Sequence, residues 1–122
     1  MRALFLLPLA LAIPASAAAQ HPRTVEVRLS NFDFAPERIV LRAGEPVVLH
    51  LVNTSGGGHD FSAPSFFAAA RGVSGPVHDG KIDVPSHGAV DVHLIPARGS
   101  YRLRCTHTFH STFGMNGRIV VQ

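Results

Sequence analysis

The sequence predicts an all-β protein, a Greek-key β-sandwich of about seven or eight strands with one short helix. Two observations lead there. Apolar and polar residues alternate in several short runs, the period-two pattern of strands with one face on a core and the other in water. Turn signals separate these runs at Ala43-Gly44, Ser55-Gly56-Gly57-Gly58, Gly80, Gly88, Gly99 and Gly117, at the spacing of a sandwich.

Taken in order, the 122 residues begin with Arg2, an apolar run from Ala3 to Ile13, and the small residues Ala15-Ser16-Ala17-Ala18-Ala19. These are the three parts of a cleaved secretory signal. Residues 1–19 are therefore expected to be a signal peptide and residues 20–122 a single domain, periplasmic or secreted. The apolar run is interrupted by Pro8 and is about half the ~20 residues that cross a bilayer, so no membrane span is expected. Next, Val25, Val27 and Leu29 alternate with Glu26 and Arg28, and Ile39 and Leu41 flank Val40 between Arg38 and Arg42. Residues 46–52 (PVVLHLV) are apolar on both faces, as a central strand covered on two sides would be. Residues 64–71 (PSFFAAAR) read as the helix, with proline at the start and Gly72 after the end. Ile82 to Val84, then Val90, Val92 and Leu94 alternating with Asp91 and His93, then Tyr101 to Cys105 and Arg118 to Val121 complete the strands. No internal repeat or linker divides the chain.

Eleven Lys and Arg against eight Asp and Glu give a formal net charge of +3, spread without a basic run, which argues against a nucleic-acid partner. Cysteine usage is more informative. Cys105 is the single cysteine, so no internal disulfide can form, and a bare thiol in an oxidising compartment is a liability; the sulfur is expected to be occupied. Eight histidines in so short a chain point towards a metal.

In the strand ending at Cys105, Tyr101, Leu103 and Cys105 share one face and Arg102 and Arg104 the other, so the thiol is expected to point inward. Residues 105–115 (CTHTFHSTFGM) then bring a thiol, two imidazoles and a thioether together before the last strand, a donor set suited to copper. A trigonal site with a distant axial methionine needs a second imidazole. His59, just beyond the Gly56-Gly57-Gly58 turn, is the candidate. Within the loop His107 stands one residue from Cys105, a cramped spacing for one ion, so His110 is favoured and His107 is the alternative. His93 reads as solvated, His50 as a hydrogen-bonded core histidine, and His78 and His87 as parts of polar connections. Arg98, Arg102 and Arg104 read as a solvated strand face, with a docking patch for an acidic partner as the alternative. Phe109 and Phe113 flank His110 as core or as an apolar collar around it.

Three segments carry a family resemblance: FDFAPERIVLRAGEPVVLHLVN, the GHDF that follows, and GSYRLRCTHTFHSTFGMNGRIVV. They resemble the opening strands, first histidine ligand, closing strand, ligand loop and final strand of small secreted cupredoxins, the plastocyanin and azurin type of blue copper protein. The resemblance implies one copper ion held by Cys105 as thiolate, His59 and His110 as imidazoles and Met115 as axial thioether. It also implies a monomeric periplasmic carrier of single electrons that works with redox partner proteins and is not an enzyme. Four residues separate Cys105 from His110, as in azurin-like members, and four separate His110 from Met115, as in plastocyanin-like ones. Asp60 stands where the family usually has asparagine, and with His107 it is expected to hydrogen-bond around the ligands. The alternative is a periplasmic copper-binding protein for delivery or resistance, which the soft donors and surplus histidines also suit. A multicopper enzyme would need histidines for another copper, and the chain has no His-x-His pair.

Overall fold

Alternation in the sequence becomes two facing sheets in the structure, a computed structural model that describes residues 1–12, 21–107 and 114–122. Among the described residues, strands β1 (Arg23–Ser30), β2 (Asp33–Ala35), β4 (Val47–Asn53), β6 (Arg71–Ser74) and β8 (Ala89–Ile95) make one sheet, in the order β2-β1-β4-β8-β6. The other holds β3 (Arg38–Leu41), β5 (His59–Ser62), β7 (Lys81–Val84), β9 (Gly99–Arg104) and β10 (Asn116–Val121), in the order β3-β10-β9-β5-β7. The chain passes repeatedly from sheet to sheet. As a result β1 pairs parallel with β4, and β3 parallel with β10, while the other pairings are antiparallel.

Period-two patterning decides which residues meet between the sheets. Val27 and Leu29 of β1, Leu49 and Leu51 of β4, and Val92 and Leu94 of β8 face Ile39, Leu41, Leu103, Ile119 and Val121, all at most 3% exposed. Burying each such side chain stabilises the fold by roughly 1.5–3 kcal/mol. An aromatic cluster closes one side of the core. Phe34 of β2 meets Phe61 of β5 edge-on at 6.1 Å, Phe61 meets Phe67, and Phe66 meets both Phe67 and Tyr101 edge-to-face at 5.3 and 5.5 Å. Phe66 and Phe67 belong to α1 (Pro64–Ala69), so this cluster anchors the helix beside β5 and β9. Gly80 leads into β7 with φ of +70°, and a Cβ there would lie 2.6 Å from the Cα of Pro64, so only glycine lets the turn pack under the helix.

Four expectations are corrected. The strands number ten among the described residues, more than the seven or eight read from the sequence, because β2, β5 and β6 show no apolar alternation. The helix stops at Ala69, since Ala70 is already extended and Arg71 starts β6 with Gly72 inside it. Strand β4 is fully buried on one face only; Val48, His50 and Val52 lie half-buried on the outer one. His50 is thus hydrogen-bonded but not in the core, its Nδ1 lying 2.5 Å from Oδ1 of Asp91 across the sheet. Residues 1–12 carry no helix or strand, and no described helix is long and apolar enough to cross a membrane. The rest of the expected signal, residues 13–19, lies outside the described residues.

Candidate metal centre

One end of the sandwich collects the donor residues because three strand ends meet there. Strand β4 ends at Asn53, and the buried amide of that residue organises the turn that follows. Its Oδ1 accepts from the backbone N–H of Ser55 at 2.9 Å and from the Ser55 hydroxyl at 2.7 Å. Its Nδ2 donates to the carbonyls of Gly57 at 2.8 Å and Val84 at 3.0 Å. An asparagine side chain closing on its own backbone two residues on is a turn former. Here it also ties the turn to β7. The chain emerges into β5, whose four residues are all buried, and His59 is its first residue, 2% exposed.

Cys105 follows β9 directly and is fully buried, facing inward as the alternation with Leu103 and Tyr101 requires. Its Sγ lies 3.9 Å from Nδ1 of His59 and accepts a 3.4 Å hydrogen bond from the backbone N–H of Asp60. Met115 is fully buried in the same core cluster, and its carbonyl accepts the backbone N–H of Cys105 at 3.2 Å. Thiol, imidazole and thioether are thus gathered at one end of the core.

Asp60 fastens the two loops together. It is 1% exposed, its Oδ1 accepts the backbone N–H of Thr106 at 2.7 Å, and its Oδ2 accepts the Thr106 hydroxyl. His107 lies half-exposed over this tie, with Nε2 4.0 Å from Oδ2 of Asp60 and its ring centre 6.4 Å from that of His59. Ligand atoms of Asp60, Cys105 and His107 all lie within 4.8 Å of one another. His110, the imidazole favoured from the loop spacing, lies outside the described residues, as do Phe109 and Phe113.

Burial pushes the Cys105 thiol above its ordinary pKa; backbone N–H groups of Asp60 and His107 directed at the sulfur pull it down, and the Asp60 carboxylate pushes it up. Donors aimed at sulfur favour a thiolate, whereas the dry surroundings penalise its charge. A bound cation removes that conflict, since it supplies the compensating charge at the sulfur itself. The donor set is soft and mixed S and N, which fits copper and not a hard ion such as magnesium or calcium.

Sequence reasoning named Asp60 and His107 beside the ligands but missed Asn53, Ser55 and Thr106. Asn53 carried a signal, an asparagine at a strand end before Thr-Ser-Gly-Gly-Gly. Thr106 carried none, because its partner is 46 residues away. Away from the centre, His78 finds Asp83 at 2.7 Å.

A family model described as a cupredoxin-like domain matches residues 3–121. Among solved structures, auracyanin B is similar at 25% identity, covering 85% of this chain and 92% of that one, with a TM-score of 0.62. Auracyanin A, a "blue" copper protein from the green thermophilic photosynthetic bacterium Chloroflexus aurantiacus, is similar at 20% identity, covering 84% and 100%, with a TM-score of 0.58. A multicopper oxidase from Campylobacter jejuni matches at 13% identity over 86% of this chain but 31% of that one, with a TM-score of 0.60. No protein of curated function matches the sequence.

Proposed function

The chain belongs to the cupredoxin-like family, and on that premise we propose that it is a mononuclear type 1 copper protein carrying single electrons in the periplasm, as a monomer. The observation that carries this reading is the buried Cys105 sulfur, 3.9 Å from His59 Nδ1 and hydrogen-bonded by the N–H of Asp60. Cys105, His59 and Met115 would hold the ion, with His110 as the second imidazole. Copper when bound supplies a one-electron couple between Cu(II) and Cu(I). The chain's own residues do the rest. Cys105 and Met115 are fully buried and His59 nearly so, which keeps water off the donors. The Asp60 to Thr106 tie and the Cys105 to Met115 backbone bond hold the donors before any ion arrives, so that a change of charge meets a fixed frame. Residues 1–19 would serve as the cleaved export signal, and the electron donors and acceptors would be proteins. No substrate is transformed, so the reading is not enzymatic.

The half-exposed ring of His107 beside buried donors favours a second reading, in which the same centre hands copper on to another protein. A visible spectrum of the purified protein with Cu(II) tests the first. An intense thiolate-to-copper band that disappears in Cys105→Ser, with the fold retained, is expected. A colourless wild-type protein that still binds Cu(I) overturns the electron carrier in favour of copper handling.

A further inference from the structure

The outer face of the second sheet carries a row of like charges that its ladder sets in register. Arg118 of β10 stands directly opposite Arg38 of β3 on one side and Arg102 of β9 on the other. Arg104 lies two residues along β9 on the same face, opposite Asn116 and next to Ser62. All four arginines are exposed. Directly opposed residues in a sheet hold their Cβ atoms about 5 Å apart, and like charges in that position destabilise the pairing. Three in a row across three strands is therefore an arrangement that folding alone does not favour.

No ion pair among the described residues includes these arginines. The ion pairs there join Arg28 to Glu26, Arg42 to Glu45, and His50, His78 and His107 to aspartates, leaving these four guanidiniums out. Arg118 spends one N–H on the Ser100 hydroxyl at 2.9 Å. A surface depression opens at the row, lined by Glu37, Arg38, Asn116, Gly117 and Arg118, so two of the arginines border a concavity that also holds a glutamate. The next rung holds Val40, 45% exposed, opposite Val120, which puts an apolar strip beside the charges. Protein interfaces are enriched in arginine and depleted of lysine. The planar guanidinium fork also matches a carboxylate with two parallel hydrogen bonds.

We propose that the face formed by Arg38, Arg118, Arg102 and Arg104 is a docking surface for an acidic protein, whose carboxylates enter the depression between Arg38 and Arg118. The proposal rests on the electron-carrier reading only in taking that acidic protein to be a redox partner. Strand β9 runs through this face into Cys105, and at about 3.3 Å per residue Arg102 stands roughly 10 Å along the strand from the cysteine. A partner held on the arginine row lies along the backbone that leads to the thiol.

The test uses the metal-free full-length chain, so that it stands apart from whether the centre turns blue. Binding of poly-L-glutamate is measured at low and physiological ionic strength for wild type, for Arg102→Gln/Arg118→Gln, and for the control Arg28→Gln/Arg71→Gln, which removes the same charge from the other sheet. Expected are binding that weakens with salt, a loss of about tenfold or more in the first variant, and little change in the control. The first variant should also melt no lower than wild type, since it relieves the opposed charges. Equal weakening in both variants overturns the proposal, because net charge would then explain the binding. Binding to phosphatidylglycerol vesicles that depends on Arg102 and Arg118, with poly-L-glutamate ignored, overturns it in favour of a lipid surface. A marked drop in melting temperature in the first variant assigns the row a structural role instead and overturns the proposal as well.

Discussion

Removing the Asp60 carboxylate should loosen the link between the two loops that bring the donors together. Asp60 accepts two hydrogen bonds from Thr106, one from the backbone N–H at 2.7 Å and one from the hydroxyl, and it is 1% exposed. Hydrogen bonds to a charged acceptor contribute about 1.5 kcal/mol each at the low end of their range. Asp60→Ala should thus cost about 3 kcal/mol in the metal-free protein, a fall of about 12 °C in melting temperature for a domain of this size. Thr106→Val loses only the hydroxyl bond and should cost about 1.5 kcal/mol. In the double variant the hydroxyl has no partner left to lose, so the total should stay near 3 kcal/mol and the coupling should be about 1.5 kcal/mol. Asp60→Asn keeps an acceptor for the N–H and lets the hydroxyl turn round to accept from the new amide, at a cost below about 1 kcal/mol. Urea unfolding of the four variants against wild type measures these values. Additive effects of Asp60→Ala and Thr106→Val would refute the reasoning, since the two residues would then act on stability by separate routes.

Three further outcomes follow from the proposed centre and its supports. His110→Ala should abolish the blue band and His107→Ala should leave it largely intact, as visible absorption with Cu(II) will show; the reverse result would make His107 the ligand. Met115→Leu should keep the colour and raise the reduction potential, because a weak axial thioether stabilises Cu(II) more than Cu(I), and voltammetry without a shift would leave Met115 as core packing alone. Asn53→Ala should cost about 2–3 kcal/mol, because it strips partners from the Ser55 N–H and the Val84 carbonyl, and it should weaken copper binding by freeing the turn before His59; titration with Cu(II) measures the second effect.

What the sequence revealed depended on whether a strand's character is local. Strands β1, β3, β8, β9 and β10 alternate because one face is wet and the other dry, and that contrast is written in consecutive residues. Strand β6 is exposed at all four positions and exists only because β8 offers it a ladder. Strand β5 fails for the opposite reason: His59, Asp60 and Ser62 look like loop residues, yet all are buried by partners far away in the chain. The inward direction of Cys105 was legible from its phase with Leu103. The tie between Asp60 and Thr106 was not, because no window of sequence contains both ends of a bond spanning 46 residues.

The bond from the Cys105 N–H to the Met115 carbonyl holds the end of β9 and the approach to β10 side by side. For a segment joining two such ends the entropic cost of closure rises only as the logarithm of its length, so adding or deleting a residue between those ends changes stability by fractions of a kcal/mol. The sheets need not shift register to absorb it. As far as the scaffold is concerned, donor spacing between these ends is therefore free to vary, and the described strands could carry connections of other lengths, each presenting a metal with a different reach to the surface.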